Sequence, residues 1–197
     1  MITFGITGNI AVGKSNITGI FRQYDIPIVD ADVVARQVVA PGTGALNNII
    51  FTFGKDYLNN NGELDRIALG ELVFNNNEAM VKLKTIMSPL IQKEVKKQIE
   101  NFHLTHDIVG YDGAMIIESG NDKKYHPLIV VYCSLENQIK RLIKRNNLTQ
   151  DQALARINSQ LPMEVKIKYA DYLINTDGSL EETAVQTFSI IQKLKNI

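Results

Sequence analysis

A single cysteine, Cys133, is all the thiol chemistry in this chain, so an intramolecular disulfide framework is excluded. It sits in the apolar run Leu128-Ile129-Val130-Val131-Tyr132-Cys133, where a buried strand residue is expected rather than a nucleophile. Charge of one sign is also lacking. Lys and Arg total 21 and Asp and Glu total 21, so no basic field argues for a nucleic-acid partner. No apolar run approaches the roughly 20 residues of a membrane span. The first strand is expected to begin at residue 2, so no signal peptide is expected. A soluble, cytoplasmic protein is therefore the expectation. His103, His106 and His126 have no Cys or carboxylate neighbours at metal-ligand spacing and are expected on the surface. Repeats, low-complexity tracts and aromatic platforms for stacking bases are absent too.

What is present starts at residue 8. Gly8-Asn9-Ile10-Ala11-Val12-Gly13-Lys14-Ser15 is a complete GxxxxGK[ST] phosphate loop, placed directly after the apolar segment Ile2–Thr7. Its glycines let the backbone curl until successive N–H groups point at phosphate oxygens. Lys14 adds a compact charge at the outer phosphates, and the Ser15 hydroxyl can ligate magnesium. A helix begins here, so its positive end faces the same anion. This chain is expected to bind a nucleoside triphosphate.

Strand and helix signals alternate along the rest of the chain. Strands are expected at 2–7, 26–30, 107–111, 127–133 and 171–175. Helices are expected at 14–24, through Val39, at 135–146 and 149–160, and at the C-terminus. Between Pro41-Gly42-Thr43-Gly44 and Phe102 the pattern is helical, with polar turns at 59–62 and 75–77. Such alternation implies an α/β fold: a five-stranded, mainly parallel sheet with helices on both faces. A core of 1–42, 103–134 and 161–197 would carry a helical insertion at 43–102 and lid helices at 135–160.

Ligands of open parallel sheets sit beyond the carboxyl ends of the strands. Asp30-Ala31-Asp32 ends the second strand, Asp112 ends the third, and Glu118 follows shortly after. These acids suit magnesium coordination and a base for a hydroxyl nucleophile. Asp30 could equally cap the next helix, whereas Asp32, one residue deeper, favours function. Ile108-Val109-Gly110-Tyr111-Asp112 has the look of a Walker B strand. Asp107-Ile108-Val109-Gly110 fits the GTPase DxxG pattern, but it opens the strand and no guanine-reading NKxD follows, so that class is set aside. Beyond the fourth strand, Arg141 and Arg145 stand four apart on one helical face. They could neutralise charge on a transferring phosphoryl group, while Lys144 and Arg156 nearby are as readily solvated.

The residues also resemble a known family, the dephospho-coenzyme A kinases, over nearly the whole chain. The segment Gly5–Ser15 is similar to the family's GLTGGIGSGKS. Val29-Asp30-Ala31-Asp32-Val33-Val34-Ala35-Arg36-Gln37-Val38 resembles its DAD-x-x-A-R-x-V, and Gly62-Glu63-Leu64-Asp65-Arg66-Ile67-Ala68-Leu69 its G-x-L-D-R-x-x-L. Asp112–Gly120, Gln138–Arg145, Arg156–Gln160 and Ala170–Gly178 match further blocks. The resemblance implies a P-loop fold that transfers the ATP γ-phosphoryl group, with Mg2+, to the ribose 3′-hydroxyl of dephospho-CoA. It implies Asp32 as the base and Arg141 as a lid cation over ATP. Gly8, Ala11, Val12, Gly13, Lys14, Ser15, Asn16, Arg141 and Arg145 would bind nucleotide, and Ser15 and Asp112 the metal. Asp32, Arg66 and Glu118 would hold dephospho-CoA. A monomer or weak homo-oligomer is expected, with neither nucleic acid nor membrane as partner. Asn9 and Ala11 stand where the family has glycines, Asn16 where it has Thr, Ser88 where it has His, and Ala114 where it has Pro. Other readings are a different small-molecule or nucleoside P-loop kinase, and a nucleotide-dependent switch.

Overall fold

A computed structural model describes residues 1–197. Five strands form one sheet in the order β2-β3-β1-β4-β5. They are β1 (Ile2–Thr7), β2 (Ile28–Asp30), β3 (Ile108–Asp112), β4 (Leu128–Tyr132) and β5 (Tyr172–Asn175). β1 pairs in parallel with β3 and β4, and β4 in parallel with β5. Strands covered on both faces need apolar side chains on both, which is why β4 reads Leu-Ile-Val-Val-Tyr without alternation. The carboxyl ends of β1, β3 and β4 reach the same edge: Ile6 lies level with Asp112 and Thr7 with Val130.

Helices α1 (Lys14–Gln23), α6 (Leu135–Asn146), α7 (Gln150–Asn158), α8 (Met163–Ile167) and α9 (Leu180–Lys195) accompany the sheet. α1 and α9 bury Ile17, Phe21, Ile190, Ile191 and Leu194 against Phe4, Ile6, Ile129, Val131 and Ile174. Burial of such side chains contributes about 1.5–3 kcal/mol each. α6 and α7 close a smaller cluster around Leu142, Ala153 and Ile157, onto which Ile10 and Ala11 of the phosphate loop pack. The five-residue α8, which follows Pro162, lies in a stretch where no element was expected. One turn is too short to show a helical period.

Contacts divide the chain into two compact units, Met1–Val29 with Asn101–Ile197, and Asp30–Glu100. α2 (Ala31–Gln37), placed with the 1–42 segment in the sequence reading, falls in the second unit. α3 (Gly44–Phe53), α4 (Arg66–Asn75) and most of α5 (Asn77–Phe102) complete it. Its own core gathers Val39, Ala45, Ile49, Leu69, Val73 and Ala79, with Leu83, Ile86, Met87 and Leu90 packed around them. The polar turn at 59–62 is held by Asn59 Oδ1, which accepts from the N–H groups of Asn61 and Glu63.

Candidate active site

The phosphate loop leaves β1 at Thr7 and enters α1 at Lys14. Gly8 is fixed by its neighbours: a Cβ there would lie 2.4 Å from the Val131 carbonyl oxygen. Gly13 has φ +94° and precedes the helix as its cap, with no side chain closing the first turn. The N–H groups of that turn are thus left for an anion. Ala11 is the exception to the glycine rule, with φ 63°. A left-handed alanine costs about 1–2 kcal/mol, so its surroundings must hold it there. Lys14 Nζ donates to the Gly8 carbonyl at 3.2 Å, which folds its charge back over the loop. Ser15 and Asn16 are exposed at the start of α1.

Arg141 lies against this loop. Its Nη1 donates to Thr176 Oγ1 at 2.9 Å and its Nη2 to the Thr176 carbonyl. The same hydroxyl donates to the Val12 carbonyl at 2.7 Å. A Cβ at Gly13 would stand 3.7 Å from Arg141 Nη1. The loop after β5 therefore holds both the phosphate loop and the guanidinium. Arg145, one turn further along α6, is exposed and donates to the neighbouring Asn146 Oδ1. The two arginines share a sequence spacing but not an environment.

Asp177 fixes the start of α6. Its carboxylate accepts from the Ser134 N–H and hydroxyl and from Asn137 Nδ2, all at 2.8–2.9 Å. Burial pushes its pKa up, but these bonds and the Arg141 charge outweigh it and hold the carboxyl below the usual range.

On the other side of β1, Asp112 closes β3 in a buried position. Glu118, a few residues on, meets Lys166 of α8 at 2.8 Å. Lys166 is fully buried and also donates to the Ala114 carbonyl at 2.7 Å. Burial pushes its pKa down, Glu118 opposes that, and the nearby Lys14 charge adds to the depression. Lys166 thus joins Lys14, Ala114 and Glu118 into one cluster, a role that no spacing in the sequence announces. The sequence reading also gave Thr176 no role of its own, and its hydrogen bonds to Val12, Tyr132 and Arg141 single it out.

In the helical unit, Asp30 Oδ1 accepts from the N–H groups of Asp32 and Val33, so the first acid of the Asp-Ala-Asp run is the cap of α2. Asp32 stands exposed in the first turn. Arg66 opens α4 and donates to the Arg36 carbonyl at 3.4 Å. Cys133 is buried just past β4, and burial pushes its thiol up, away from nucleophilic use. Of the histidines, only His126 is well exposed, beside Asp171 at 3.1 Å. His103 is half-buried and bonds Thr3 Oγ1, and His106 is half-buried beside Asp25. Both correct the surface expectation, because each ties the 103–106 turn to the sheet unit.

No group of three or more His, Cys, Asp or Glu forms an all-protein metal cage. None is required by magnesium at a nucleotide, which keeps waters and takes phosphate oxygens.

Residues 2–182 match the family model of dephospho-CoA kinase. A dephospho-CoA kinase of Listeria monocytogenes is 40% identical over 192 residues, covering 97% of this chain and 96% of its own. A solved dephospho-CoA kinase from Campylobacter jejuni is 29% identical, with TM-score 0.75 over 99% of this chain and 98% of its own. A solved Thermus thermophilus protein is 26% identical, with TM-score 0.85 over 98% of this chain and 96% of its own.

Proposed function

The chain belongs to the dephospho-CoA kinase family, and from that premise we propose that it moves the γ-phosphoryl group of ATP onto the ribose 3′-hydroxyl of dephospho-CoA, closing coenzyme A synthesis. The observation that carries this reading is the loop itself. Gly8 and Gly13 hold conformations that admit phosphate, and Lys14 and Arg141 converge on it. Phosphoryl transfer needs little covalent chemistry from the protein. Charge spreads over the equatorial oxygens of a loose transition state, and positioned cations stabilise it. Lys14 and Arg141 supply that stabilisation, with Gly8 to Asn16 seating the nucleotide and Arg145 serving as an outer cation.

Oxygen donors suit magnesium, and the Ser15 hydroxyl with the Asp112 carboxylate would hold it. When bound, the ion neutralises charge on the phosphate oxygens. The Asp30 carboxylate is already engaged by two backbone N–H groups. That leaves exposed Asp32 to accept the proton of the 3′-hydroxyl. The proton leaves late in a loose transition state, so the position of the carboxylate matters more than its strength as a base. Arg66 would meet the substrate's phosphates, and Glu118, steadied by Lys166, would face the acceptor. The helical segment 43–102 would bind the rest of dephospho-CoA, and 135–160 would act as the lid.

A coupled assay of ADP release with Mg-ATP and dephospho-CoA tests the proposal. Asp32→Asn should lower kcat by about 10²–10⁴, the share of a positioned acid–base group. Unchanged turnover would remove Asp32 from the chemistry. Wild-type turnover with nucleoside monophosphates and none with dephospho-CoA would overturn the substrate.

A further inference from the structure

Ile10, at the outer bend of the phosphate loop, is held from both sides by side chains distant in sequence. Its N–H donates to Gln160 Oε1 at 2.7 Å. Its carbonyl accepts from Gln138 Nε2, also at 2.7 Å. The preceding residue joins the same segment, because Asn9 Nδ2 donates to the Leu161 carbonyl at 3.1 Å. Gln138 is 3% exposed on α6, and Gln160 follows α7. Shielding from water strengthens such bonds and raises the penalty for leaving either partner unmade.

These bonds fall beside the one strained residue of the loop. The Ile10 carbonyl belongs to the peptide plane that sets φ of Ala11, which stands at 63°. Returning Ala11 to a negative φ swings that plane and pulls the carbonyl away from Gln138. The Gln160 bond pins the plane before it. A glycine would hold this bend at no steric cost, whereas an alanine needs the bend enforced from outside.

We propose that Gln138 and Gln160 are positioning residues of the nucleotide site. They grip the two Ile10 peptides and keep Ala11 left-handed, so the loop is already shaped for the triphosphate before it arrives. Neither touches the reacting atoms. The inference rests on the reading of the loop as the ATP site, and its consequence is specific: removing either glutamine should raise the cost of ATP binding and leave the chemical step alone.

The test combines calorimetric titration of ATP with steady-state kinetics. Gln160→Leu and Gln138→Leu should each weaken ATP binding about tenfold, or about 1.4 kcal/mol, and raise KM for ATP in step. At saturating ATP, kcat should stay within about twofold and KM for dephospho-CoA should not move, the signature of lost ground-state binding. Combined with Ala11→Gly, each substitution should cost only about twofold relative to Ala11→Gly alone, because glycine adopts the bend unaided. A purely structural role would give the same loss in both backgrounds. Gln160→Asn and Gln138→Asn withdraw the amide by one methylene and carry the same expectation if leucine disturbs folding. Unchanged ATP affinity, or equal losses with alanine and glycine at position 11, overturns the inference alone. A wild-type protein that does not bind ATP overturns the functional reading and the inference together.

Discussion

At the scale of single residues, Gly8 and Lys166 show two ways in which the site is constrained. A side chain at position 8 would meet the Val131 carbonyl at 2.4 Å and Val12 Cγ2 at 2.9 Å. The glycine was legible because the motif demands it, although the motif does not say that strand β4 is what crowds it. Lys166 was not legible. It lies in a short charged stretch with no pattern, and only the fold takes it out of water. Lys166→Met should destabilise the protein by about 3 kcal/mol at pH 7, because it leaves the Glu118 carboxylate without its partner. The side chain of Glu118 is 18% exposed, which keeps the cost at the low end. Adding Glu118→Gln should recover part of the loss. Burial lowers the Lys166 pKa in the folded state, so the native protein gives up this proton before the unfolded chain does. Between that depressed value and the unfolded value of about 10.4, the unfolded state binds more protons, and stability from this group rises with pH. Denaturant titrations of wild type and Lys166→Met from neutral pH to pH 10 should show the wild-type advantage widening. A constant difference would mean that Lys166 titrates as an ordinary lysine.

At the scale of elements, boundaries follow local chemistry that the chain writes openly. Thr149 with Gln152 and Ser179 with Glu182 form reciprocal capping boxes at the starts of α7 and α9. Asp65 caps α4 through two backbone N–H groups, and Thr43 caps α3. Asp30 belongs to this group. Sequence left it balanced between cap and functional acid, and in the structure its Oδ1 accepts both N–H groups of the cap. Asp30→Ala should therefore lower stability by about 1 kcal/mol, the ordinary worth of such a cap, as read by thermal unfolding. Its effect on kcat should be far smaller than that of Asp32→Asn, and a comparable loss would contradict the division of labour between them. The five residues of α8 were illegible for the opposite reason. Met163–Ile167 is held by packing beside β4 and by the Lys166–Glu118 pair rather than by any period or cap of its own.

At the scale of the molecule, a ligand that binds only the folded state must stabilise it. ATP at about 100 times its Kd should add about 2.7 kcal/mol. For a chain of this size that is a rise in Tm of about 5–10 °C, measurable by differential scanning fluorimetry. Lys14→Ala should abolish most of that shift. The sequence by itself determined the phosphate loop, the alternation that makes a parallel sheet, the acids that close β2 and β3 and the family to which the chain belongs. All of these are written in neighbouring residues, since loop curvature, capping and apolar runs act over a few positions. Tertiary structure decided which similar residues do different things. It set Arg141 against Gly13 and left Arg145 in solvent, used Asp30 as a cap, buried Lys166 beside Glu118, and brought Gln160 to Ile10 across 150 positions. The physical reason is that strand order, not sequence distance, determines which side chains share the carboxyl edge of the sheet. Burial and hydrogen-bond partners there are fixed only after the strands have paired.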